Sequence, residues 1–153
     1  MNKNRSAFTM IEVVFVIVVL GILAGIAIPK FIATRTDAVI AKGRSDIASI
    51  RTAISTERQK RFMKGDSSYI NKLDQGVAEN TAGVTIFDSN GTATNRLLTY
   101  GITTKDVDGG WVKTATYQYA YRVMKNQWNY FDYNNADGTF KCTSGNYCDQ
   151  LSK

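Results

Sequence analysis

Glu12 is the residue whose chemistry most needs explaining. It is the single charge in a 21-residue apolar run, Phe8 to Ile28, reading FTMIEVVFVIVVLGILAGIAI. An acidic side chain inside a membrane helix costs roughly 2.5–3.5 kcal/mol on insertion scales, so it takes a partner. The run contains no Lys, Arg or His to serve. A cut between Ala7 and Phe8 would create a partner, an α-amino group four residues before Glu12. Such an amine has a reference pKa of about 7.7–8.0 and is mostly cationic near neutral pH. In a neighbouring chain, staggered along a bundle of helices, it would meet Glu12 and neutralise it.

Other reactive groups are few. The sequence has no His, which removes the usual neutral-pH acid–base and the commonest metal ligand. Cys142 and Cys148 enclose Thr143 to Tyr147. In a chain whose C-terminal part is exported, such a pair reads as a disulfide, contributing roughly 2.4 kcal/mol on the chain-entropy model. Two Cys without His do not make a zinc site. Asp132, Asn134 and Asp137 place oxygen ligands in one short stretch before Gly138, which suits calcium. Their spacing departs from the EF-hand loop, because Gly138 stands seventh and no Glu follows. A plain polar turn is the preferred reading, and no other cofactor is expected. Arg58, Lys60, Arg61 and Lys64 form a basic cluster that could meet DNA phosphates or acidic lipid headgroups. A solvated helix end is preferred, since cations favour a helix C-terminus and no aromatic residues interleave. The absence of His, the pairing of the two Cys and the lack of a nucleophile–base motif argue against an enzyme.

The elements around these residues divide sharply. The 153-residue chain is 44% hydrophobic and 21% charged, with a formal charge of +6, but its first fifth is nearly pure hydrocarbon. As a helix, Phe8–Ile28 would span about 32 Å, against a bilayer core of about 30 Å. Lys3 and Arg5 in the leader MNKNRSA hold that end in the cytoplasm. Lys30 and Arg35 weaken the charge argument, while the polar, Cys-bearing remainder supports the same orientation. From the residues alone, three readings compete. One is a cleaved signal peptide ending at Gly25-Ile26-Ala27, one a plain anchor, and one an assembly helix that uses Glu12. Gly21 and Gly25 form a GxxxG pattern that permits close helix approach. Pro29 cannot donate a backbone hydrogen bond and crowds the carbonyl of Gly25. Residues 21–29 therefore read either as a hinge or as a stable kinked helix.

Ala7-Phe8-Thr9-Met10-Ile11-Glu12, followed by an apolar run that ends in Ile28-Pro29, resembles the class III signal sequence of type IV pilins and type II secretion pseudopilins. The resemblance covers residues 1–31, and Ala7 stands where the family usually has Gly. It implies that a prepilin peptidase cuts before Phe8 and N-methylates it. It also implies that Glu12 is the family's acidic fifth mature residue, and that Pro29 matches the family's proline. The expected partners are other pilin-like subunits, an inner-membrane assembly platform and inner-membrane lipid. The expected location is a single pass of the inner membrane with the head in the periplasm, then a periplasmic or surface filament. Within the family, a pseudopilin of a type II secretion or DNA-uptake (competence) system is preferred. The alternative is a type IV pilin or minor pilin whose head binds DNA or a surface. Major type II pseudopilins are similar in carrying calcium near the C-terminal loops.

The remaining sequence supports an α+β fold, a long N-terminal spine helix packed on a small antiparallel β-sheet head. Four segments are expected: leader 1–7, apolar helix 8–29, amphipathic half of the spine 30–65 and β-rich head 66–153. Val39, Ile40, Ile47, Ile50 and Ile54 form one apolar stripe, with Lys42, Arg44, Arg51 and Arg58 on the other faces. Gly65-Asp66-Ser67-Ser68 reads as the helix end. Ser67–Gln75 is a short helix or loop. Strand candidates are Val84–Phe87, Arg96–Thr103, the alternating Tyr117, Tyr119, Tyr121 and Val123, then Gln127–Tyr133, and Thr139–Cys142. Asp88–Gly91, Asp106–Gly110 and Lys125-Asn126 read as turns.

Overall fold

The computed structural model describes residues 8–89 and 97–153, with the backbone alone for residues 28–33. The leader, the Asn90-Gly91 end of one expected turn and Arg96 lie outside the described residues. The packing divides the chain into two compact units, residues 1–37 and residues 38–153. Helix α1 runs Met10–Met63 and contributes to both. The second half of the spine therefore belongs with the head, because its apolar stripe is part of the head's core.

In the first unit, α1 is apolar on all sides. Met10–Ala27 has a mean hydropathy of 2.8, is long enough to cross a membrane, and none of it is buried. A helix hydrophobic all round is at rest only in lipid or among other helices.

In the second unit, Ile40, Ile47, Ile50 and Ile54 of α1 are buried, and Val39 packs against the same core. The helix ends where expected. Gly65 takes φ +81°, its amide donates to Phe62 O at 3.0 Å, and the Asp66 amide donates to Arg61 O at 3.0 Å. This is the Schellman arrangement, in which a left-handed glycine lets the chain turn back on its last carbonyls.

A strap without regular structure, residues 66–77, follows and buries Ile70, Leu73 and Asp74. Two short strands, β1 (Thr85–Ile86) and β2 (Ile102–Thr103), pair antiparallel. The main sheet is an antiparallel meander of β3 (Trp111–Ala115), β4 (Gln118–Met124), β5 (Gln127–Asn134) and β6 (Thr139–Ser144). A one-turn helix, α2 (Cys148–Leu151), closes the chain.

The expected strand Val84–Phe87 stops at Ile86 because Phe87 turns to φ +58°. That conformation is uncommon for a bulky residue. It places the Phe87 ring 4.5 Å from Tyr119 and edge-on to Trp111 and Phe140, in the aromatic centre of the core. Of the expected Arg96–Thr103 strand, only Ile102–Thr103 is extended and paired among the described residues. Tyr117 is a further difference: it sits in the β3–β4 turn, whereas Tyr119, Tyr121 and Val123 are buried together. β3 and α2 were not anticipated.

Candidate functional site

The N-terminal end of α1 is built by its own sequence. Thr9 precedes the helix, and its carbonyl accepts the amides of Glu12 at 3.1 Å and Val13 at 3.3 Å. The Thr9 hydroxyl also accepts the Glu12 amide at 3.4 Å. Thr9 is thus a helix cap, and Glu12 lies in the first turn, where a negative charge favours the helix dipole. The signal for Thr9 was present as Thr-x-x-Glu ahead of an apolar run, the sequence half of a capping box.

Glu12 shares a shallow groove with Ile11, Val14, Phe15 and Val18, all of them exposed. Phe8 stands just before the helix and is 78% exposed. At Gly21 and Gly25 an added Cβ would meet nothing within 4 Å. Packing within this chain therefore does not require glycine at either position, and both leave bare backbone for a neighbour. The backbone remains helical through residues 21–29, while the Pro29 side chain and Ala7 lie outside the described residues.

The head groups fall into three sets. Cys142 and Cys148 are joined, with their Cα atoms 5.5 Å apart. Asp132, Asn134 and Asp137 each accept from a nearby donor. Gln118 Nε2 reaches Asp132 Oδ1 at 2.9 Å, the Ala136 amide reaches Asn134 Oδ1 at 2.9 Å, and Thr139 donates its amide and hydroxyl to Asp137 Oδ1 at 2.9 and 2.7 Å. In the basic cluster, Arg58 donates to Ser68 O at 3.2 Å and lies 4.3 Å over the Tyr69 ring. Arg61 reaches the Ser68 hydroxyl and pairs with Glu57 and Asp66, and Lys60 lies 3.9 Å from Glu57. The two arginines thus hold the start of the strap.

Sequence reasoning missed a buried polar centre. Lys113 Nζ donates to Asp74 Oδ1 at 2.9 Å and to Val77 O at 2.9 Å. Tyr119 donates its hydroxyl to Asp74 Oδ2 at 2.5 Å, and the Gly76 and Val77 amides donate to Oδ1. Burial pushes the Asp74 carboxyl up. The hydrogen bonds from Tyr119, Lys113 and the Gly76 amide outweigh it and hold the group below its ordinary value. This centre fastens the strap to β3 and β4, which is a structural task. Among the described residues, no group of three or more His, Cys, Asp or Glu is placed to hold a metal ion.

Residues 2–28 match the family model of the prokaryotic N-terminal methylation motif. The chain carries a prepilin-type N-terminal segment. The chain is also similar to three proteins named type II secretion system core protein G. That of Pseudomonas aeruginosa is 32% identical over 61 residues, 40% of this chain and 43% of the relative. That of Aeromonas hydrophila is 42% identical over 53 residues, 35% of this chain and 37% of the relative. That of Vibrio cholerae is 31% identical over 75 residues, 49% of this chain and 47% of the relative. The chain thus spans less than half the length of the curated relatives it matches. No solved structure matches it. An apolar N-terminal helix continued by an amphipathic one, packed on a small antiparallel sheet, is a pilin-like α+β arrangement.

Proposed function

We propose that this chain is a structural subunit of a type IV pilus-like filament, of the type II secretion pseudopilin kind. The observation that carries the reading is the methylation motif over residues 2–28, joined to a helix whose Met10–Ala27 span is wholly unburied. Prepilin peptidase removes residues 1–7 and methylates Phe8. The inner membrane holds the helix until the assembly platform transfers the subunit, with its head in the periplasm. The new amine of one subunit then meets Glu12 of its neighbour. Gly21 and Gly25 admit close helix contact, and residues 21–29 deform as the filament forms.

The head's sheet supports growth through the helix. Its β3 edge is already used, since the Asn80 and Lys105 amides donate to Lys113 O at 2.8 Å and Trp111 O at 3.0 Å. On β6, Arg51 Nε donates to Phe140 O at 3.0 Å. Strand addition at these positions would have to displace existing bonds.

Two measurements test the reading. Mass spectrometry of the mature chain should find an N-methylated Phe8 at the N-terminus; cleavage after Ala27 would sink it. The Glu12→Ala variant should still insert in the membrane but fail to enter filaments, and normal incorporation would refute the amine pairing.

A further inference from the structure

Calcium near the C-terminal loops is what the resemblance to major pseudopilins implies, and the donor set here does not fit that ion. Calcium gathers six to eight oxygens at about 2.3–2.6 Å. Asp132 Oδ1 accepts Gln118, and Asp132 stands opposite Lys141 in the β5–β6 ladder, where a second cation would be repelled. Asn134 Oδ1 closes a turn onto the Ala136 amide. The Thr139 hydroxyl and amide both bond Asp137 Oδ1, and the hydroxyl leads in holding that carboxyl below its usual value. Each side chain accepts a local hydrogen bond, and among the described residues no group of three or more His, Cys, Asp or Glu converges on a shared centre.

We propose instead that a covalent clasp fixes the C-terminal segment to the spine helix, and that the head needs no calcium. The clasp is the Cys142–Cys148 bond, which ties the first residue of α2 to β6. Three contacts depend on where α2 lies. The Tyr147 amide donates at 2.8 Å to Oδ1 of Asn129, a fully buried side chain. Leu151 is 1% exposed and fills the space over Gly43, where an added Cβ would stand 2.7 Å from Leu151 Cδ2 and 2.6 Å from Tyr121 Cε1. Arg44 Nε donates to Gln150 O. α2 cannot supply this order alone. It has four residues and no side-chain cap at Tyr147. A single helical turn is far below the length at which isolated helices hold. The covalent link is what keeps it in register with Gly43.

The test uses the full-length chain in detergent micelles, so its result is independent of filament assembly. Hydrogen exchange is followed at the Tyr147 and Leu151 amides, with β4 and β5 amides as reference, and thermal unfolding is recorded alongside. Calcium chloride and a calcium chelator should give the same midpoint and the same exchange. Reduction by dithiothreitol, or the double variant Cys142→Ser with Cys148→Ser, should cut protection at Tyr147 and Leu151 by about tenfold or more. Calcium should not restore it, whether the loss stays local or spreads to the whole head. A calcium-dependent rise in the midpoint overturns the proposal. So does unchanged protection at Tyr147 and Leu151 after the bond is opened, or its recovery on adding calcium.

Discussion

The Asp74→Asn variant removes the carboxylate that fastens the strap of residues 66–77 to the sheet. The Lys113 side chain is 5% exposed and the Asp74 side chain fully buried. Breaking such a pair from one side costs about 3–5 kcal/mol, because a charge stays buried without its counterion. The lower end applies here. An Asn oxygen still accepts the Gly76 and Val77 amides, and Lys113 keeps its 2.9 Å bond to Val77 O. A loss of about 3 kcal/mol is a large part of the 5–15 kcal/mol typical of a domain. Adding Lys113→Met removes the stranded charge and should recover about 2 kcal/mol. Denaturant unfolding of the full chain in micelles, followed by tryptophan fluorescence from buried Trp111 and half-buried Trp128, measures both. The pH dependence gives a second reading. The folded-state Asp74 lies below its ordinary 3.8, so its contribution is complete above the unfolded value of about 3.9. It is lost as the pH falls through the lowered folded value. Wild type should therefore lose stability below about pH 4 more steeply than Asp74→Asn. A loss under about 1 kcal/mol, or a double variant whose effects simply add, refutes the stranded-charge account.

Three further substitutions probe the contact between spine and head. Ile50→Ala opens a cavity at a fully buried position and should cost about 2–5 kcal/mol by the same unfolding assay. Gly43→Ala gains about 1 kcal/mol in helix propensity but forces a methyl to 2.6 Å from the Tyr121 ring, which is held by its 2.6 Å bond to Val39 O. Overpacking of about 1–3 kcal/mol should win, lowering the thermal midpoint. Arg51→Ala removes the donor to Phe140 O, costs about 1 kcal/mol, and should increase concentration-dependent aggregation through β6, read by light scattering.

What was legible in the sequence follows the range of the forces involved. The α1 stripe could be read because helical period alone brings Ile40, Ile47, Ile50 and Ile54 to one face. The end at Gly65 and the turn at Asn126, with φ +62°, were legible because each needs a residue tolerant of left-handed backbone. β3 was missed for the opposite reason. Its inward positions are Trp111 and Lys113, and a lysine facing the core breaks the apolar alternation. Its partner, Asp74, lies 39 residues away, so no local pattern announces that the charge is satisfied. α2 is too short for its single buried residue, Leu151, to show a period.

The arginines of α1 show where periodicity stops deciding. Arg44, Arg51 and Arg58 recur every seven residues, which puts them in one row, about 10.5 Å apart along the axis. The sequence places that row outside the apolar stripe, and solvent is the natural reading. Instead each arginine donates to a main-chain carbonyl of a different segment: Gln150 after the disulfide loop, Phe140 on β6, and Ser68 in the strap. The row lies at the boundary between core and water. There an arginine can lay its stem on apolar surface and still carry its charge outward. At that boundary polarity says only that a side chain tolerates water. Whether it meets water or a carbonyl depends on the segment lying across it, and that is set by the strap, β6 and the clasp. These three positions join α1 to segments that α1's own pattern does not encode.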